Sequence, residues 1–72
     1  MNKKNKIKIV VNGKLLTVNI NYSLKNLIEK LKTPINKVAI ELNEEIEDKK
    51  KLSKIFLKNK DKIEIVHFIG GG

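Results

Sequence analysis

The chain has 72 residues, so it forms one domain at most, and a fold of this size buries only about 60% of its unfolded surface. Its 16 lysines against 8 acidic residues give a formal net charge of +8. No apolar run approaches the roughly 20 residues that a spanning helix requires. The basic start is followed by alternating residues, not by the apolar core of a signal peptide. We therefore expect a soluble, cytoplasmic protein.

The residues that carry most enzyme chemistry are scarce. Cysteine is absent, which excludes disulfides, thiolate metal sites and a cysteine nucleophile. A single histidine, His67, supplies neither a zinc site nor a Ser-His-Asp triad. We expect that the chain is not an enzyme and that it binds no metal or cofactor of its own.

The basic charge by itself favours a small nucleic-acid-binding domain. The composition weakens this hypothesis, because half of the residues are Lys, Ile or Asn and arginine is absent, as in proteins from AT-rich genomes. A surface that recognises phosphates or bases is expected to use arginine, and single-strand binders need stacking aromatic residues. Only Tyr22, Phe56 and Phe68 are aromatic here.

The chain begins with a predicted β-hairpin. Residues 7–11 and 14–20 alternate between apolar and polar side chains, as half-buried strands do. Asn12-Gly13 between them favours a type I′ turn, because both central residues of that turn need positive φ. The residues that share the apolar face are Ile7, Ile9 and Val11 in the first strand and Leu16, Val18 and Ile20 in the second.

After residue 22 the period changes to that of an amphipathic helix. The apolar stripe, which we expect in the core, consists of Leu24, Leu27, Ile28 and Leu31. Ser23 is the predicted N-cap, and Tyr22 and Leu27 have the spacing of a hydrophobic staple. Pro34 is predicted to stop the helix by disfavouring helical geometry at Thr33, which gives a helix of about three turns.

The second half is predicted to contain two more strands and an irregular segment. Residues 38–42 form the third strand, and Asn43-Glu44-Glu45 turns it toward a short strand around Ile46. Residues 48–60 are rich in charge and favour a loop with one short helical or 3₁₀ turn. Residues 62–68 alternate once more as the final strand.

This order of elements predicts an α+β domain, in which one main helix packs on one face of a mixed sheet of four to five strands. The first and last strands are the longest and most apolar, so we expect them to be central neighbours that run parallel. Residues 1–5 have the composition of a mobile leader.

Three of the four glycines follow the last strand directly, as Gly70, Gly71 and Gly72. Backbone without Cβ atoms passes through a narrow channel in a partner more easily than any other sequence. A frayed end without a function is the alternative.

Two segments, Val38–Ile46 and Asp61–Gly72, resemble the ubiquitin-like β-grasp sulfur carriers, most closely the ThiS sulfur carriers of thiamine biosynthesis. The hairpin and the helix fall where that family places them, so the resemblance spans residues 6–72. One departure is Asn59-Lys60, where the family often has a glycine before its aspartate. The resemblance implies a β-grasp domain over residues 6–69 and a flexible glycine tail over residues 70–72.

The resemblance also implies that the chain is a protein substrate. In this family an E1-like adenylyltransferase uses ATP and magnesium to turn the terminal carboxylate, here that of Gly72, into an acyl adenylate. Sulfur from a donor protein then replaces the adenylate. The thiocarboxylate is delivered to thiazole synthase, which builds the thiazole ring. Gly70 and Gly71 provide the slim segment that enters the partner, and the carrier itself is expected to be a monomer.

The docking surface follows from the alternation of the strands. Ile63 and Ile65 face the helix, so Val66 and Phe68 lie on the opposite, open side of the sheet. By the same logic the first hairpin contributes apolar residues to that side. The predicted docking residues are Val10, Leu15, Val66, Phe68 and, as the last side chain before the glycines, Ile69. Scattered surface hydrophobic residues without a function are the alternative.

Two functional alternatives share this fold and tail. A molybdopterin-type sulfur carrier uses the same adenylation in another pathway, and a ubiquitin-like modifier is conjugated to lysines through the same carboxylate. The short chain and the ending from Val66 to Gly72 favour the thiamine carrier over the molybdopterin type.

Overall fold

The structure is a computed structural model that describes residues 5–68. The first hairpin forms as the sequence predicts. Strand β1 (Lys6–Val11) pairs antiparallel with strand β2 (Lys14–Asn19). The turn residues Asn12 and Gly13 have φ angles of 48° and 83°, both in the left-handed region that a type I′ turn needs.

The expected leader lies outside the described residues, apart from Asn5. The carbonyl oxygen of Asn5 accepts a hydrogen bond of 2.8 Å from the backbone N–H of Ile20. Asn5 therefore continues the hairpin beyond its paired strands.

Helix α1 (Leu24–Lys30) begins at the predicted N-cap. The hydroxyl of Ser23 accepts a hydrogen bond of 3.0 Å from the backbone N–H of Asn26. The side-chain oxygen of Asn26 accepts one of 3.1 Å from the N–H of Ser23 in return. This reciprocal capping box satisfies two backbone donors that have no partner within the helix, and it fixes where the helix starts.

The end of α1 differs from the prediction. The helix has seven residues, about two turns, and closes with a Schellman motif before Pro34 is reached. Lys32 has a φ of 54°, and the N–H groups of Lys32 and Thr33 donate to the carbonyls of Glu29 and Ile28 at 3.0 and 3.2 Å.

The predicted third turn and the stop at Pro34 are therefore wrong. Leu31, predicted to be in the core, is the C-cap residue and is 39% exposed. The apolar stripe extends one residue beyond the helix, because the Schellman motif turns the chain away at that point.

The second half follows the predicted order. A 3₁₀ turn (Ile35–Lys37) leads into strand β3 (Val38–Leu42), which pairs antiparallel with strand β4 (Glu45–Ile46). A single 3₁₀ helix (Lys49–Lys54) lies in the charged segment, as expected. None of the helices in residues 5–68 is long and apolar enough to cross a membrane.

Strand β5 (Lys62–His67) occupies the centre of the five-stranded sheet, whose order is β2-β1-β5-β3-β4. It runs parallel to β1 and antiparallel to β3, so the predicted central pairing of the first and last strands is confirmed. The parallel ladder is short, because β1 turns away at Asn12 after only two paired positions.

Two asparagines hold β5 from its two sides. The side-chain oxygen of Asn12 accepts a hydrogen bond of 2.7 Å from the N–H of Ile65, and its amide nitrogen donates to the Ile65 carbonyl at 3.3 Å. In the β3–β4 turn, the side-chain oxygen of Asn43 accepts one of 2.9 Å from the N–H of Lys62. Each turn asparagine thus replaces ladder hydrogen bonds where a neighbouring strand has ended.

The core lies between the sheet and one covering layer, which consists of α1 and the 3₁₀ helix. The fully buried side chains that fill it are Ile9, Leu24, Leu27, Val38, Ile40 and Ile63. Asp61 is buried beside this core, where its carboxylate accepts hydrogen bonds from the Lys58 N–H at 2.7 Å and the Asn43 amide at 3.0 Å.

Leu27 provides a test of the helix register. It is fully buried, so Leu27→Ala is expected to lower the free energy of unfolding by about 2–5 kcal/mol. Leu31→Ala is the matched control, because Leu31 is part-exposed and is expected to change stability by about 0.5 kcal/mol or less. Urea denaturation of both variants measures the difference. Equal midpoints for the two variants would contradict the register.

Asn12 provides a test of how β5 is held. Asn12→Gly keeps a residue that tolerates the left-handed φ and removes both side-chain hydrogen bonds to Ile65. We expect a loss of about 1–3 kcal/mol and faster hydrogen exchange at the Ile65 amide.

Asn21→Gly is the matched control for Asn12→Gly. Asn21 also has a left-handed φ, of 66°, and its side chain makes no hydrogen bond within residues 5–68. Both variants change the unfolded chain in the same way, so the difference between them reports the folded state. A difference of zero would mean that the Asn12 amide does not support β5.

Candidate functional site

The open face of the sheet, opposite α1 and the 3₁₀ helix, is the surface that the sequence assigned to docking. Val10 on β1 lies directly opposite Leu15 on β2, so their side chains share this face. Val66 on β5 pairs with Ala39 on β3, next to the buried pair Ile40–Ile65, whose side chains lie on the core face. Leu15 and Val66 are 73% and 51% exposed.

The structure separates these residues into two spots. Val10 pairs with Lys62 in the parallel ladder, so Val66 lies four residues further along β5. Four residues of extended strand correspond to about 13 Å. We call Val10 and Leu15 the hairpin spot, and Ala39, Val66 and Phe68 the exit spot.

Charged side chains lie between the two spots. Glu41 and Glu64 are directly opposite each other on β3 and β5, and both are half-buried. Like charges at such a position destabilise a sheet, and in residues 5–68 neither carboxylate has a salt-bridge partner.

Ile46 pairs with Glu41 on the same face and is 73% exposed. Ile46 was not among the docking residues predicted from the sequence. The predicted β3–β4 hairpin could have identified it, because Ile46 lies opposite Glu41 in that hairpin and so shares its face.

The chain leaves the sheet at the exit spot. The N–H of Phe68 donates a hydrogen bond of 2.8 Å to the carbonyl of Lys37, so the alignment of β5 with β3 continues to the last described residue. The Phe68 ring lies 5.2 Å from the ammonium nitrogen of Lys49, a cation–π contact with the 3₁₀ helix. Phe68, the last described residue, is therefore held through both its backbone and its side chain.

The predicted tail and the last docking residue, Ile69 and Gly70–Gly72, lie outside the described residues, and their roles remain predictions. Within residues 5–68, no group of three or more His, Cys, Asp or Glu side chains is arranged to hold a metal ion. What the described part presents is an open sheet face with exposed apolar residues, together with the strand that precedes the glycines in the sequence.

The family model and a solved structure agree on one family. The family model described as "ThiS family" matches residues 9–72, which include the three glycines. A crystal structure of the thiamine biosynthesis protein ThiS from Geobacter metallireducens is 30% identical, with a TM-score of 0.77, and the match covers 92% of this chain and 100% of that chain. The expected ubiquitin-like β-grasp fold is confirmed.

A thiazole synthase from Paramagnetospirillum magneticum is 36% identical over 66 residues. The match covers 92% of this chain but 20% of that protein, so the chain spans about a fifth of the length of this curated relative. Because the family model matches almost the whole chain, including the segment that leads out of the sheet, the chain belongs to the ThiS family.

Proposed function

We propose that this chain is a cytoplasmic sulfur carrier of thiamine biosynthesis, and that its reacting group is the main-chain carboxylate of Gly72. The observation that carries the proposal is the match of the ThiS family model over residues 9–72, which extends through all three terminal glycines. The chain would act as a substrate of its partners and not as their catalyst.

The proposed chemistry begins with activation of the carboxylate. A carboxylate is a poor electrophile, because it has no good leaving group. An E1-like adenylyltransferase would use ATP and magnesium to join AMP to the Gly72 carboxylate and release pyrophosphate. A persulfide on a donor protein would then attack the carbonyl carbon and displace AMP, which forms an acyl disulfide. A thiol would reduce that disulfide, which releases the donor as a mixed disulfide and leaves a thiocarboxylate on Gly72.

The fold supports this role through the central position of β5. The strand that precedes the glycines is paired on both sides and lies at the middle of the sheet. Phe68, which follows β5 and is the last described residue, is held by the Lys37 carbonyl and by Lys49. A partner that binds the domain would therefore meet the start of the tail at a defined place.

The open face is the surface on which we place the adenylyltransferase. Val10 and Leu15 of the hairpin spot and Val66 and Phe68 of the exit spot would contact it, with Ile69 at the entrance to its active site. A standard interface covers about 800 Å² on each partner. Such a footprint spans both spots, together with the paired carboxylates between them.

Thiazole synthase is the proposed acceptor of the sulfur. The similarity of this chain to about a fifth of a thiazole synthase supports this choice. Gly70 and Gly71 would carry the thiocarboxylate into the acceptor, because a segment without side chains fits a narrow passage.

Intact mass spectrometry tests the proposed chemistry. When the full chain is co-expressed with its own adenylyltransferase and sulfur donor, we expect a mass gain equal to the exchange of one oxygen for one sulfur. A variant that lacks Gly72 is expected to show no gain. Lys14→Gln, which changes an exposed residue beside the first turn, is the control and should gain the sulfur normally.

The fate of the activated chain separates the alternatives. Formation of an amide bond to lysines of other proteins would identify a ubiquitin-like modifier. Transfer of the sulfur to a molybdopterin precursor, and not to thiazole synthase, would identify the other carrier type. An unchanged mass with active partners would reject sulfur-carrier chemistry altogether.

Docking on the open face is tested by titrating single variants against the adenylyltransferase in a calorimeter. Val66→Ala and Phe68→Ala are each expected to weaken binding about tenfold, since they remove apolar side chains near the centre of the proposed interface. Leu15→Ala is expected to weaken it less, because the hairpin spot lies toward the rim.

Thr17→Ala is the control for the docking variants. Thr17 is exposed on the same face but lies opposite Lys8, two pairs further from the exit spot than Leu15. All four variants should unfold near the wild-type temperature, because these side chains are outside the core. Unchanged affinity in Val66→Ala and Phe68→Ala would place the adenylyltransferase elsewhere.

A further inference from the structure

A groove runs between α1 and the 3₁₀ helix, on the side of the molecule opposite the open face. It has a volume of about 280 Å³, and its walls include Ile28, Ile35 and Leu52. Ile28 and Leu52 are almost fully buried and form the floor, whereas Ile35 is half-buried at one end. α1 ends after two turns, and Thr33, which lies beyond its end, also lines the groove.

The rim of the groove is basic. Lys25 lies on α1, and Lys49 and Lys50 lie on the 3₁₀ helix. The one acidic residue on the rim is Glu29, whose carboxylate is 4.0 Å from the ammonium of Lys25. Within residues 5–68, Lys49 and Lys50 have no salt-bridge partner. An apolar floor with free ammonium groups above it is complementary to an acidic segment that carries one apolar side chain.

Excess lysine by itself does not produce this arrangement. On the open face, Lys6 and Lys8 lie opposite Asn19 and Thr17, and Lys62, which lies opposite Val10, has its ammonium 4.0 Å from the carboxylate of Glu44. In the groove the ammonium groups surround apolar floor residues instead. The hydroxyls of Thr33 and Ser53 also line the groove and offer hydrogen bonds to the backbone of a bound segment.

Lys49 connects this groove with the exit spot. Its ammonium lies 5.2 Å from the centre of the Phe68 ring, and its side chain also lines the groove. A carboxylate bound in the groove attracts the same ammonium group that contacts Phe68. Occupation of the groove is therefore expected to change the surroundings of Phe68.

We propose that the groove between α1 and the 3₁₀ helix binds an acidic segment of a partner protein. One apolar side chain of that segment lies on Ile28 and Leu52, and its carboxylates pair with Lys49 and Lys50. This surface meets the exit spot where Lys49 contacts Phe68, but its occupation does not depend on the chemistry proposed for Gly72.

The test is a nuclear magnetic resonance titration of the full ¹⁵N-labelled chain with the peptide acetyl-ELDE-amide. We expect saturating shifts of the amides of Ile28, Ile35 and Ser53, together with a shift at Phe68. Two further peptides separate the contributions. Acetyl-QLNQ-amide lacks the charges and acetyl-EADE-amide lacks the apolar anchor, and each should bind at least about fivefold more weakly.

A double variant, Lys49→Gln with Lys50→Gln, is expected to lose at least about tenfold in affinity for acetyl-ELDE-amide. The matched control is Lys8→Gln with Lys14→Gln, which removes the same charge from the hairpin and should bind as the wild type does. In Lys49→Gln alone, the shift at Phe68 should disappear while the shift at Ile28 remains.

Three results would overturn the proposal. Equal losses in the two double variants would show attraction by net charge only. An absence of saturating shifts at Ile28 and Ser53 would show that the groove is not a site. Stronger binding of the oligonucleotide (dT)₆ at the same amides would assign the groove to a nucleic acid. A variant that lacks Gly71 and Gly72 should bind the peptide normally, so failure of the sulfur-carrier proposal is distinguished from failure of this one.

Discussion

The position of β5 at the centre of the sheet is the constraint on which the rest of the structure depends. Its parallel partner β1 leaves after two paired positions, which exposes the backbone groups of Ile65 to solvent unless another group pairs with them. The side-chain amide of Asn12 makes those hydrogen bonds. On the side of β5 that faces β3, the side-chain oxygen of Asn43 likewise accepts a hydrogen bond from the N–H of Lys62. Because both asparagines lie in left-handed turns, the turn that ends each neighbouring strand also supplies the group that replaces it. β5 is thereby held along its length, although neither β1 nor β3 pairs with all of its residues.

Periodicity was enough to predict the strands, the start of α1 and the pairing of the first and last strands, because each depends on local patterns or on which segments are most apolar. The end of α1 was not predictable in this way. The left-handed residue directly after the C-cap is usually glycine, which can be recognised in a sequence, but here it is Lys32. The split of the docking residues into two spots also escaped prediction. Alternation assigns a side chain to a face, but the distance along that face depends on the register between β1 and β5, which is set by contacts about fifty residues apart in sequence.

The two faces of the molecule differ in what they offer a partner. The open face has two apolar spots with Glu41 and Glu64 between them, so it favours a partner with apolar and basic groups. The groove has an apolar floor with lysines around it and favours the opposite charge. Lys49 and Phe68 are the point where the two surfaces meet. The net charge of +8 does not describe this difference, since the half-buried pair Glu41 and Glu64 lies on the open face and Lys49 and Lys50 line the groove, although Lys6 and Lys8 add basic groups to the open face as well.

The placement of glycine argues that the tail is more than compositional drift. In residues 5–68 there is one glycine, Gly13, although six other residues adopt the left-handed φ that favours glycine. Three of the six are lysine or glutamate, which pay a steric cost of about 1–2 kcal/mol each in that conformation: Lys32, Glu44 and Lys60. Lys60 follows Asn59 in a turn, and its N–H donates a hydrogen bond of 2.7 Å to the carbonyl of Lys8. A sequence that avoids glycine even where a turn favours it nevertheless has three in succession at residues 70–72. Drift in composition acts against that run, so a requirement for backbone without side chains is the simpler explanation.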